Sequence, residues 1–125
     1  MTILVPSDAA SMHAAVRAAT YYPGPVFLRS SRVAMPQSYP EGDCPFEIGT
    51  ANVVRRGTDV TIVGCGIMVA MGLDAAAILA DEGIDARVQV VVPAERDNVE
   101  ASLDQLLDIV RVDDVVIVVE ASRLL

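Results

Sequence analysis

A chain of 125 residues makes one ordinary domain or two very small ones. Apolar residues make up 53% of it, enough for a core, while 9 Lys and Arg face 17 Asp and Glu for a net charge of −8. That balance excludes nucleic acid as an expected partner, because phosphate binding rests on clustered positive charge. Apolar runs such as Val115 to Val119 are short and far from the ~18 residues of a membrane-spanning helix.

The first residues, "MTILVPSD", lack the basic start and small-residue cleavage site of a secretory leader, so a cytoplasmic protein is expected. Cys44 and Cys65 lie far apart without a CxxC, which points to two reduced thiols rather than a zinc site or a disulfide framework. Mean hydropathy is positive although aromatic residues are few, because Ala and Val dominate. Such a composition suits closely packed α/β layers or an apolar surface that a partner covers.

In chain order, "TILVPSD" (2–8) reads as a short strand entering a turn, with Ser7 or Asp8 placed to cap the next helix. Ala9, Met12, Val16 and Ala19 recur at helical spacing, and "YYPGP" (21–25) stops that helix. "VFLR" (26–29) is a second strand, so residues 1–32 form a β-α-β piece, short of a domain. Residues 33–45 carry Pro36, Pro40 and Pro45 and read as a linker between two bodies or as a long ordered loop. "ANVVRRGTDVTIVGC" reads as two strands joined by a short turn at Arg55–Thr58, with Gly57 at the tight position and the strands as antiparallel neighbours.

After Gly66, "IMVAMGLDAAAILADEG" is helical and Gly83 is placed to end it. "ARVQVVV" (86–92) is a buried strand. "DNVEASLDQLLDIV" (97–110) is an amphipathic helix, with Asp97 and Glu100 at capping-box spacing and a stripe of Val99, Leu103, Leu106 and Val110. "DVVIVVE" (114–120) is the last strand. The order from residue 51 is β-β-α-β-α-β, which predicts an α/β fold with a mostly parallel sheet and one antiparallel edge strand.

Few residues carry a chemical signature. Gly64-Cys65-Gly66 sits between a strand and a helix, as a nucleotide loop would, but Val69 occupies the third glycine position of GxGxxG. The motif is incomplete, so a tight strand-to-helix turn is the expectation, with a weak anion site at the helix start as the alternative. His13, the one histidine, lies on a predicted helix with no nucleophile signature nearby. The acids, among them Asp81, Glu82, Asp85, Glu95, Asp97 and Asp104, sit at helix ends and outer faces without a dyad or metal spacing. Arg29 and Arg32 follow the strand "VFL" three residues apart, where open α/β sheets bind ligands beyond their strand ends. They are an anion site or two surface ion-pair residues.

Longer stretches are similar to a known family. "LVPSDAASMHAAVRAATYYPGPVFLRSSR" resembles the last part of the pyrimidine-binding domain of transketolase-like, thiamine-diphosphate-dependent enzymes. "FEIGTANVVRRGTDVTIVGCGIMVAMGLDAAAILADEGIDARV" resembles the opening of their C-terminal domain, which comes next in the chain. The relatives include transketolase, 1-deoxyxylulose-5-phosphate synthase and the β-type subunits of 2-oxoacid dehydrogenases. The resemblance implies that residues 46–125 form a shortened C-terminal domain that binds no cofactor and packs, dimerises and shapes the active-site entrance. It makes Gly64–Gly66 a structural turn. It places Arg32 where the family's arginine contacts the phosphate end of a sugar-phosphate substrate, and Arg29 at a neighbouring arginine of the deoxyxylulose synthase branch.

The family's magnesium and diphosphate motif, GDG followed by an Asn, does not occur in this sequence, nor does the earlier half of the pyrimidine domain with its cofactor-activating glutamate. "VVVPAERDN" stands where the family has a "KPLD"-like segment. The expectation is therefore a small subunit of a split transketolase-like enzyme with no catalytic residue or metal ligand of its own. Thiamine diphosphate and magnesium would lie on a partner chain that carries the pyrophosphate domain, and a homodimer contact would run through the C-terminal domain. The alternative is a stand-alone α/β interaction or regulatory module without a catalytic role.

Overall fold

The computed structural model describes residues 1–40 and 44–90 and the backbone of 91 and 115–119. The expected helix at 97–110 and the divergent segment Pro93–Asn98 lie outside the described residues.

The chain opens with strand β1 (Thr2–Leu4), helix α1 (Ala9–Tyr21) and strand β2 (Val26–Leu28). The two strands pair in parallel, Thr2 opposite Val26 and Leu4 opposite Leu28. Their side chains alternate as a two-sided strand requires: Thr2 and Leu4 are buried, while Ile3 and its partner Phe27 are exposed.

Helix α1 buries a different face from the one its apolar spacing predicts. Ser11 and Ala15 are buried, whereas Ala9 and Val16 are exposed. A helix built largely of alanine has little hydrophobic contrast around its girth, so a polar contact decides its rotation. Ser11 turns inward because its hydroxyl accepts from the backbone N–H groups of Ser7 and Asp8, both at 2.9 Å.

The second sheet contains β3 (Ala51–Arg55), β4 (Val60–Gly64), β5 (Ala86–Val91) and β6 (Val115–Val119), in the order β3-β5-β4-β6. β4 pairs in parallel with both β5 and β6, and β3 is the antiparallel edge, as expected. The expected β3–β4 hairpin does not form: β3 pairs with β5, and β5 lies between the two strands. Stepping over one strand spans ~10 Å, two strand spacings, and a short link at ~3.3 Å per residue reaches that far. Turn length alone therefore does not make strands neighbours.

Gly57 makes the crossing possible by lying flat against the start of β5. A Cβ at this position would overlap the Ala86 carbonyl carbon and the Arg87 nitrogen. The glycine is needed for close approach and not for a left-handed turn, since its φ is not positive.

Helix α2 (Met68–Asp81) returns the chain from β4 to β5. Val69, Ala70, Gly72 and Ala76 are its buried residues. Gly72 lets the helix settle on the sheet, where an added Cβ would stand 3.3 Å from Ile62 Cγ2 and 3.4 Å from Val88 Cγ1. Gly83 ends the helix as expected, at φ +82, with Gly83 N–H donating to Ala80 O and Ile84 N–H to Leu79 O. This is the paired bond pattern of a Schellman cap.

Two core clusters result. Val60, Ile62, Ala76, Ala86 and Val88 fill the space between α2 and its sheet. Leu4, Ala15, Tyr39, Val69 and Val90 form the other, which joins the opening β-α-β piece to the start of α2 and the end of β5. Tyr39, from the proline-containing stretch, is 6% exposed and belongs to that cluster.

Candidate functional site

The strand ends of β1 and β2 point the same way because the strands are parallel. Beyond them lie the first turn of α1 and the residues that leave β2. Asp8 organises this end. Its Oδ1 accepts the Ser11 N–H at 2.8 Å and caps α1, with Ser11 Oγ returning the contact as a capping box. Its Oδ2 accepts two further backbone N–H groups, Ser38 at 2.8 Å and Tyr39 at 2.9 Å. Asp8 is 1% exposed. Burial pulls its carboxyl upward, but the hydrogen bonds from Ser11, Tyr39 and Ser38 outweigh it and hold the group below its ordinary value.

Tyr39 sits beside this carboxylate. Burial, with Cys44 and Asp8 nearby, pushes its phenol well above the ordinary tyrosine value, and a hydrogen bond with Asn52 pulls weakly the other way. The phenol stays protonated and structural at any physiological pH.

Arg29 and Arg32 both follow β2 and both are exposed. The Arg29 backbone N–H donates to Leu4 O at 2.9 Å, which ties the exit of β2 to the end of β1. Ser31 Oγ accepts the Val33 N–H at 3.2 Å and shapes the loop around Arg32. Both residues therefore lie in the stretch that leaves β2 and are reachable from solvent.

Gly64–Gly66 is a tight turn. Gly66 has φ +56, and a Cβ on it would meet Val5 Cγ1 at 3.0 Å. The amides that a phosphate would need at the start of α2 are partly used, Met68 N–H by Cys65 O and Val69 N–H by Gly66 O, both at 3.2 Å. His13 is exposed on α1. Among the described residues no three His, Cys, Asp or Glu side chains converge to hold a metal.

A cluster at the opposite end of the second sheet escaped the sequence reading. Val53, Arg56, Gly57, Thr58, Asp85 and Arg87 line a pocket beside the β3–β4 crossing. Its polar groups stitch the crossing to β5. Arg55 Nη1 donates to Ala86 O, Arg55 Nη2 stands 3.7 Å from Asp85 Oδ1, and Arg87 Nη2 donates to Gly57 O at 3.2 Å. Asp85 N–H donates to Asp59 Oδ2 at 2.7 Å. The two carboxylates and the bonds already made give this cluster a structural role. Its sequence signal was "RRG", legible as a basic turn and no further.

Comparison with known proteins agrees with this geometry. A family model described as "Transketolase, C-terminal domain" matches residues 49–122. One subunit of the apulose-4-phosphate transketolase of Phocaeicola vulgatus is 39% identical over 88 residues, covering 70% of this chain and 28% of that protein. The beta subunit of the mitochondrial pyruvate dehydrogenase E1 component of Pisum sativum is 32% identical over 123 residues, covering 91% of this chain and 34% of that protein. A solved structure described as a split gene transketolase, inactive beta4 tetramer, superposes with a TM-score of 0.74 at 32% identity, covering 95% of this chain and 48% of that one. The chain thus spans between about a quarter and a half of the length of these relatives. On the family match and this fold, the chain belongs to the transketolase C-terminal-domain family.

Proposed function

We propose that this chain serves as the substrate-entrance part of a split transketolase-like enzyme, and that a partner chain holds thiamine diphosphate and magnesium. The observation that carries this reading is the joined core of Leu4, Ala15, Tyr39, Val69 and Val90. It packs a β-α-β piece like the end of a pyrimidine-binding domain onto a transketolase C-terminal fold, with the exposed Arg29 and Arg32 in the stretch that follows β2. The relatives described as one subunit of a transketolase and as a "split gene transketolase" support a divided enzyme.

In such an enzyme the cofactor supplies the carbanion chemistry. The residues of this chain bind and orient. Arg32 offers a planar pair of donors to the anionic end of a substrate, and its exposed position in the stretch after β2 leaves room for that group, with Arg29 three residues earlier in the chain. The chain alone has no activity in this reading.

The test is affinity purification of the tagged protein from its native host, followed by kinetics of the recovered assembly. A thiamine-diphosphate-binding chain in comparable amount is expected. In that assembly Arg32→Ala should raise KM for an anionic substrate roughly 10- to 100-fold, the worth of a charge-assisted contact, with kcat nearly unchanged. Recovery of the protein without such a partner would end the split-enzyme reading. An unchanged KM would remove Arg32 from the site.

A further inference from the structure

Residues 30–37 leave β2 as a loop held at both ends. At the near end Arg29 N–H is bonded to Leu4 O. At the far end Ser38 and Tyr39 donate their backbone N–H groups to the same oxygen, Asp8 Oδ2, and the Tyr39 side chain is buried in the core. Among the described residues, 30–37 are held by one further hydrogen bond, from Val33 N–H to Ser31 Oγ. Arg32 lies inside this span. The placement of its backbone therefore depends on the two anchors more than on the loop's own bonds.

The Asp8 carboxylate does two separable things. Oδ1 caps α1, and Oδ2 fixes the far anchor of the loop 30 and 31 residues along the chain. A helix cap needs one oxygen, so the second oxygen is not explained by capping. Two charge-assisted N–H bonds on one buried oxygen are strong and well directed, suited to holding a backbone still. A guanidinium on a fixed loop binds an anion with less ordering cost than one on a free loop.

We propose that Asp8 is a positioning residue, whose Oδ2 holds the far end of the loop so that Arg32 is preset for the substrate anion. This rests on the reading of Arg32 as a substrate contact given above. Asp8 itself touches no substrate.

Asp8→Ser separates the two tasks. Serine caps a helix as well as aspartate through its one short-reaching hydroxyl, and it carries no second oxygen to accept from Ser38 and Tyr39 N–H. Ser11→Ala is the control: it breaks the hydroxyl half of the capping box and leaves Asp8 Oδ2 and its two partners in place. Two measurements decide the matter. In the full chain, amide hydrogen exchange of Ser38 and Tyr39 should accelerate strongly in Asp8→Ser and much less in Ser11→Ala. In the assembled enzyme, Asp8→Ser should raise KM for an anionic substrate roughly tenfold with kcat nearly unchanged, leave a neutral-ended substrate unaffected, and add little when combined with Arg32→Ala.

Unchanged exchange in Asp8→Ser overturns the tether and leaves the Arg32 reading standing. If Arg32→Ala raises KM and Asp8→Ser does not, positioning fails alone. If Arg32→Ala has no effect, the Arg32 reading fails and takes this proposal with it. An equal rise in KM for Ser11→Ala would reduce Asp8 to ordinary helix support and overturn the proposal.

Discussion

Gly57 shows how one missing Cβ sets a strand order. The link after β3 passes over the first residues of β5, and its nearest neighbours are backbone atoms of Ala86 and Arg87. A flexible side chain could move aside; paired strand backbone cannot without breaking its ladder to β4. Gly57→Ala should therefore destabilise the protein by at least about 3 kcal/mol, the upper end of overpacking costs, measured by urea denaturation. A cost near ~0.5 kcal/mol would mean that the link stands off the strand. The same residue marks where sequence reading stopped. Gly between a basic pair and a Thr looks like a turn glycine, and nothing local distinguishes a turn between neighbours from a step across a strand that comes later in the chain. That Arg29 and Arg32 come after β2 is legible from chain order alone; the Asp8 bonds are not, because their partners Ser38 and Tyr39 are distant in sequence and donate through their backbone, which every residue has.

At the scale of the element, α1 was legible as a helix, with Asp8 as one of its two expected caps, while its buried face was not. Periodicity among alanines carries little signal, and the capping contacts of Ser11 decided the rotation. The cap also gives the helix a pH dependence. Asp8 titrates below its ordinary value in the folded protein. The folded state therefore favours the charged form, and the stabilisation is complete above the unfolded carboxyl value of ~3.9 and lost as pH falls through the lower folded value. Asparagine does not titrate, so the stability of wild type minus that of Asp8→Asn isolates this group. The difference should be flat from about pH 7 to pH 5 and shrink below about pH 4. Urea midpoints of the two proteins across that range check it. A difference that persists unchanged at the acid end would show that the carboxylate bonds do not form as described.

The whole molecule is held together by the residues that composition hinted at least. The Ala- and Val-rich composition suits small-residue α/β layers or an apolar surface that a partner covers, and helix α2 on β4 and β5 is such a layer. The mostly parallel sheet with an antiparallel edge followed from the element order, since β-α-β units leave few other arrangements. What the order could not show is that the opening β-α-β piece shares a core with the rest. That core needs Tyr39, a large residue in a stretch whose prolines conceal its role, and it brings Leu4 and Ala15 against Val69 and Val90. A two-stranded sheet with one helix has too little buried surface to be stable alone, so its order depends on this contact. Unfolding of the full chain should then be a single transition. The three tyrosines, Tyr21, Tyr22 and Tyr39, all lie in the first part of the chain and report it through the near-ultraviolet signal, while the far-ultraviolet signal reports every helix and sheet. The two should coincide in urea, and Leu4→Ala should shift both together by about 2–5 kcal/mol, the range for a fully buried leucine. If the tyrosine signal were lost first and Leu4→Ala moved it alone, the opening piece would be an independent unit resting on the second sheet, and Arg32 would reach a substrate only after a partner had ordered it.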